Sequence, residues 1–151
     1  MDTQLMIAEL KRDEGNRLQI YDDATGLAIK PGTTVKGHPT IGIGRALDVR
    51  GISQDEADLM LANDIAAFTL GLQQAYTWFS GLDDVRQRVL VNMAFNMGLA
   101  GLGQFHDTLR YIEERRWQLA ADAMRESHWS TQTGERAARL CDAMATGEAQ
   151  A

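Results

Sequence analysis

The chain has one cysteine, Cys141, so no internal disulfide can form and the fold must be stable without covalent cross-links. A lone thiol late in a helical stretch reads as a small core hydrophobe. Histidine is nearly as scarce: His38, His106 and His128 lie far apart and none belongs to a His-x-x-x-His or Cys-His pattern, so a metal site has no support. No apolar run approaches the roughly 18 residues that a membrane span requires. Met1-Asp2-Thr3-Gln4 followed by Leu5-Met6-Ile7-Ala8 also lacks the basic start and long apolar stretch of a signal peptide. Stable membrane insertion is not expected, and the cytoplasm is where such a chain would first accumulate. Positive charge is short as well. The formal charge is -6, with 7 basic and 11 acidic groups in residues 1–80 and 8 and 10 in residues 81–151, so neither half has the Lys and Arg clustering that nucleic acid demands. Internal repeats, low-complexity tracts and linkers long enough to separate independent domains are missing too.

What is present is a chain of 151 residues, 44% of them hydrophobic, which suffices for one packed domain or two small lobes. Leu5, Ile7, Ala8 and Leu10 predict a short amphipathic helix over about residues 3–14, stopped by Gly15. Leu18, Ile20 and the run Thr40 to Gly44 have the alternation and β-branched content of strands, and the intervening segment is rich in Gly, Pro and Thr, so a small antiparallel sheet or hairpin is predicted. Ser53-Gln54-Asp55-Glu56 has the spacing of a capping box, and Ala57, Met60, Leu61, Ile65, Phe68, Leu72 and Tyr76 behind it predict one long helix over about 54–78. A second helix, capped by Asp83 or Asp84, runs through Val85, Val89, Met93, Phe95 and Met97 to Gly98, before a flexible loop from Gly98 to Gly103. Shorter helices are predicted at about 107–113, 116–126 and 134–145. The expected fold class is α+β and mostly helical: a small N-terminal α/β lobe at about 13–55, a connecting helix, and a helical C-terminal lobe at about 80–151.

Chemistry concentrates near the N-terminus, where acids and a hydroxyl stand at breaks in secondary structure. Glu14, in Arg12-Asp13-Glu14-Gly15, would be the last residue of its helix, facing the negative end of the macrodipole where stability alone would prefer a cation. A general acid for glycosidic cleavage suits that place, although an isolated Asp-Glu-Gly is more often a solvated glutamate at a frayed helix end. Asp22 and Asp23 follow the first strand, and Ala24-Thr25-Gly26 behind them is turn chemistry, so they read either as turn decoration or as a second catalytic carboxylate. A helix end at Glu14 and a strand end at Asp23 could face each other across a cleft with Thr40 on the paired strand, so that two carboxyls and a hydroxyl flank one bond. Carboxyls about 6.5 to 9.5 Å apart leave room for a water and imply inversion, whereas about 5 to 5.5 Å implies a covalent intermediate. Neither a metal nor another cofactor is needed for that chemistry, and Gly42 and Gly44 do not make a phosphate loop because no Lys-Ser or Lys-Thr follows. Trp78, Trp117 and Trp129 are read as packing residues rather than sugar platforms.

With these residues in place, the chain resembles the lysozymes of T-even phages and related phage endolysins, muramidases that cleave the N-acetylmuramic acid to N-acetylglucosamine linkage of peptidoglycan. The resemblance extends through Asn92-Met93-Ala94-Phe95-Asn96-Met97-Gly98, Arg116-Trp117 with Ala120-Ala121, and Ser127-His128-Trp129-Ser130-Thr131-Gln132-Thr133 leading to Arg136. It implies a single lysozyme-like domain over 1–151, with helix 3–14 grouped with the C-terminal lobe. Glu14 would be the catalytic acid, Asp23 the second carboxylate, and Thr40 the hydroxyl that helps hold the attacking water. Phe95, Asn96 and Thr108 match positions lining the sugar groove, Arg136 matches an arginine that pairs with the catalytic glutamate, and Asp13 and Asn92 would be buried polar partners bracing the cleft. The resemblance further implies a peptidoglycan substrate, a monomer, accumulation in the host cytoplasm, and access to the wall only after a holin permeabilises the membrane.

The chain departs from the T-even pattern in three places. Thirteen residues, Leu27 to Pro39, stand where the T-even type has a very short turn, and Lys36-Gly37-His38 within them is a candidate contact to the wall polymer. Arg45 replaces a structural histidine, in a Gly44-Arg45-Ala46-Leu47 sequence similar to another branch of these endolysins. Ala46 and Ala123 stand where the T-even type has larger groove residues.

Overall fold

In the computed structural model, residues 1–149 are described. They form an α+β, mostly helical fold with eight α-helices and a small three-stranded antiparallel sheet among the described residues. By compactness the chain divides into two units, Met1–Asp58 and Leu59–Ala151.

The first unit opens with α1 (Thr3–Glu14), capped by Asp2, whose carboxylate accepts the N–H groups of Gln4 and Leu5. The chain turns at Gly15 into β1 (Arg17–Asp22), which pairs with β2 (Pro39–Gly42); β2 pairs in turn with β3 (Arg45–Ala46). Tyr21 lies opposite Thr40 and Asp22 opposite Pro39, while Thr40 lies opposite Ala46 on its other side. Between β1 and β2, Ala28 bridges back to Tyr21, so the lengthened segment begins by folding along β1. The one-turn helix α2 (Leu47–Arg50) ends the sheet region. Among the described residues of this unit the two that are buried are Asp22 and Thr40, both polar. Backbone and carboxylate hydrogen bonds, rather than an apolar core, hold its strands in register.

The predicted capping box opens α3 (Gln54–Ala75): Ser53 Oγ accepts the Glu56 N–H, and the Glu56 carboxylate accepts the Ser53 N–H. Arg45 also donates to that carboxylate, at 2.6 Å, and to the Gly51 carbonyl, which gives this arginine a bracing task between β3 and the start of α3. The Ser53 N–H and then Arg45 hold the Glu56 carboxyl below its ordinary range.

In the second unit a 3-10 turn (Phe79–Gly81) leads into α4 (Asp84–Leu102), followed by α5 (His106–Glu113), α6 (Trp117–Arg125), α7 (His128–Thr133) and α8 (Glu135–Thr146). The apolar core lies here, with Leu72, Phe79, Leu90, Met93, Ile112, Met124 and Met144 fully enclosed. Cys141 is within it, as a small hydrophobe, and Trp129 is buried while Trp78 and Trp117 pack against its margin. Arg86 is buried too: its guanidinium lies over the Trp117 ring and donates to the Met144 and Ala145 carbonyls, satisfying the C-terminal end of α8.

One local expectation is corrected, and three short elements carry no sequence signal. The stretch predicted as a loop from Gly98 to Gly103 is helical from Leu99 to Leu102; Gly98 alone leaves helical geometry, at φ 76° and ψ 162°, and the helix resumes beyond it. Helix α7 falls in a polar stretch, His128 to Thr133, that has no apolar period to announce it, and is started by Ser127 as its cap. β3 and α2 are too short, at two and four residues, for any period to show.

Candidate active site

Glu14 is the last residue of α1, as expected, and is exposed. Its carboxylate rests against Gly44, in the turn between β2 and β3. A Cβ at Gly44 would stand 2.8 Å from Glu14 Oε2 and would displace that carboxylate, and the residue's φ of 63° is one that side chains rarely adopt, so backbone conformation favours glycine here. The Thr40-Ile41-Gly42-Ile43-Gly44 run thus brings its hydroxyl and the resting place of Glu14 onto one short stretch of chain.

Asp23 follows the last residue of β1 and is exposed. Its Oδ1 accepts the His38 N–H at 2.6 Å, and its own N–H donates to the His38 carbonyl at 3.1 Å. Thr40 is buried, and its hydroxyl donates to the same carbonyl at 3.1 Å. One peptide neighbourhood, that of His38, therefore touches both the second carboxylate and the hydroxyl. The His38 ring is turned elsewhere, to Asp48 at 2.9 Å, and this hydrogen bond, followed by the charge of Asp48, raises the imidazole above its ordinary value.

Asp22, the first of the two acids at this turn, is not the exposed one. It is 2% exposed and accepts three backbone N–H groups, from Ala24, Lys36 and Gly37, at 3.0, 2.8 and 3.0 Å. The Lys36 N–H is the largest influence holding its pKa below the ordinary aspartate value, with burial opposing and the Gly37 and Ala24 N–H groups assisting. Gly37 has no room for a side chain: a Cβ there would collide with Asp23 Oδ1 and with Ala24. The segment 27–39 is thus tied down beside the acids by its own backbone.

Asp13 is corrected from a buried brace to an exposed surface group. More than half of its side chain is open, and it pairs with its neighbour Arg12 at 2.7 Å, because its position on the last turn of α1 points it to solvent.

In the second unit, Asn92 and Arg136 are joined. Arg136, on α8, donates through Nε and Nη2 to Asn92 Oδ1 at 2.9 and 2.7 Å, and through Nη2 to the Asn92 carbonyl. Both residues, with Phe95, line a groove of about 730 Å³. Phe95 is 42% exposed, and its ring lies 5.8 Å from that of Phe68. Asn96 accepts the Trp129 indole N–H at 2.9 Å, while Thr108 is buried on α5 at the wall of a second, smaller pocket with Ala123 and Trp129.

The Phage lysozyme family model matches residues 11–143. The chain belongs to the phage lysozyme family. Probable T4-type lysozyme 1 and Probable T4-type lysozyme 2 of Dictyostelium discoideum are 27% and 28% identical to it, over 91% of this chain and 92% of each of theirs. The Pre-baseplate central spike protein Gp5 of Enterobacteria phage T4 is 29% identical over 94% of this chain, which spans 28% of that larger protein. Membership of the phage lysozyme family makes this a lysozyme-like protein and supports a glycosidase activity directed at peptidoglycan.

The grouping of Asp22, Gly37 and the His38 peptide was not visible in the sequence. The Asp-Asp pair was the available signal. Its donors stand 14 and 15 residues further on, inside a segment with no regular period.

Proposed function

We propose that this phage lysozyme family protein is an inverting N-acetylmuramidase, hydrolysing the β-1,4 bond between N-acetylmuramic acid and N-acetylglucosamine in peptidoglycan. The observation that carries the reading is the grouping around the strand turn in a chain of this family: Glu14 lies against Gly44, while Asp23 and Thr40 share the His38 peptide. Glu14 donates its proton to the glycosidic oxygen as the C1–O bond breaks. A water attacks C1 from the opposite face and passes its proton to Asp23. With Asp23 Oδ1 taken by the His38 N–H, Oδ2 is the oxygen assigned to that water. The hydrogen of Thr40 is committed to the His38 carbonyl, so its oxygen acts as an acceptor and turns the water's lone pair toward the sugar.

Glu14→Gln, which keeps shape and removes the transferable proton, should lower turnover on purified wall by about 100-fold or more while leaving the melting temperature near that of the wild type. Product analysis separates the alternatives. New reducing ends of α configuration support the proposal; 1,6-anhydro products would identify a lytic transglycosylase instead, and tight wall binding without cleavage a catalytically silent homologue.

The proposed setting is bacterial lysis by a phage endolysin. The protein acts as a monomer, accumulates in the host cytoplasm, and reaches the wall once a holin opens the membrane. Expression alone should leave host cells intact, and permeabilising the membrane should clear them.

A further inference from the structure

Among the described residues Asp22 is the one carboxylate that is buried, and no cation accompanies it. Its bond from Ala24 is local and would form equally well with asparagine at this turn. The other two bonds are not local. They bring Lys36 and Gly37 to the end of β1, one on each carboxylate oxygen. A side chain that meets three N–H donors has to be acceptor on both oxygens; the amide nitrogen of asparagine would oppose one of the donors. The residue type is therefore demanded by the long segment, not by the turn.

The next residue along that segment is His38, whose N–H holds Asp23 Oδ1 and whose carbonyl receives both the Asp23 N–H and the Thr40 hydroxyl. The links form one chain of contact: Asp22 carboxylate, Lys36 and Gly37 backbone, His38 peptide groups, then Asp23 and Thr40. We propose that Asp22 is a positioning residue for hydrolysis, fixing the His38 peptide groups so that Asp23 and Thr40 are held in the geometry that activates water. The proposal rests on the roles given to Asp23 and Thr40 under Proposed function. The missing side chain at Gly37 fits it, since the approach of that backbone to Asp23 Oδ1 and Ala24 leaves no space for a methyl group. So does burial: Asp22 and Thr40, the two ends of this chain of contact, are the buried residues of the first unit among those described.

The test compares wild type, Asp23→Asn, Asp22→Asn, Asp22→Ala and Gly37→Ala by steady-state kinetics on purified peptidoglycan, each corrected for the folded fraction, with amide hydrogen exchange on the same samples. Misplacing a catalytic group by about 1 Å is enough to lose roughly 100-fold in rate. Asp22→Asn should lower kcat by about 10- to 100-fold with KM within about twofold, and Asp22→Ala should lower it further. Gly37→Ala keeps the Asp22 carboxylate but intrudes on Asp23, and should reproduce the kcat loss. Exchange at Gly37 and His38 should quicken in both Asp22 variants. If Asp23→Asn abolishes turnover while folded Asp22→Asn and Gly37→Ala keep the wild-type kcat, the positioning role is overturned and the functional reading stands. Wild-type turnover in Asp23→Asn would overturn the functional reading, and this proposal with it.

Discussion

Asp22 and Thr40 show how much a single buried polar atom can organise when no apolar core surrounds it. Each is satisfied by backbone groups from the segment between β1 and β2, so removing either acceptor or donor leaves partners without a bond rather than a cavity. The pH dependence follows from sign. The folded pKa of Asp22 is lowered, chiefly by the Lys36 N–H, so its contribution to stability is present above the ordinary aspartate value of about 3.9 and is lost as pH falls through the folded value. The urea midpoint of the wild type should therefore exceed that of Asp22→Asn near neutrality, and the two should converge as the solution is taken below about pH 3. A constant difference at every pH would rule out the carboxylate charge as its origin. Asp13 makes the opposite point. It is also an acid in the motif, but it sits on the open side of α1 and pairs with Arg12, where solvent screens the interaction.

At the scale of elements, regular local signals were legible. The helix ending at Glu14, the two paired strands, the capping box before α3, and the α4 start at Asp83 all lie where apolar spacing and capping residues put them. Signals that depend on period failed for short pieces, which is why β3, α2 and α7 were not anticipated. Gly98 misled for a different reason. Glycine after an apolar stretch commonly ends a helix, but here it supplies one non-helical residue and the chain re-enters the helix through Leu99 to Leu102. Its φ and ψ lie in a region open essentially to glycine alone, so Gly98→Ala should destabilise the protein by about 1–3 kcal/mol, measured by urea unfolding. An unchanged midpoint would mean that this residue adopts ordinary helical geometry in solution.

For the whole molecule, composition and patterning anticipated an α+β chain with one packed helical region, and the enclosed core of the second unit is that region. Cys141 reports on it. Burial pushes the thiol up to about 11, with Arg125 opposing, so the native protein at neutral pH should resist thiol reagents and label only as the helical unit opens. Leu90→Ala, removing a fully buried side chain, should destabilise by about 2–5 kcal/mol and accelerate labelling in proportion. Fast labelling of the folded wild type would contradict the enclosed position of the thiol. The order of residues by itself determined which elements are helices or strands, where the helices start, and that an acid, a second acid and a hydroxyl stand at element ends, because those properties depend on neighbours a few positions away. Only tertiary structure decided that Asp22 rather than Asp13 is buried, that Gly37 lies too close to Asp23 and Ala24 for a side chain, that the Glu14 carboxylate rests against Gly44, and that Arg136 is joined to Asn92. Those contacts join residues 14 to 44 positions apart, or depend on the space left between them, and no local period encodes either.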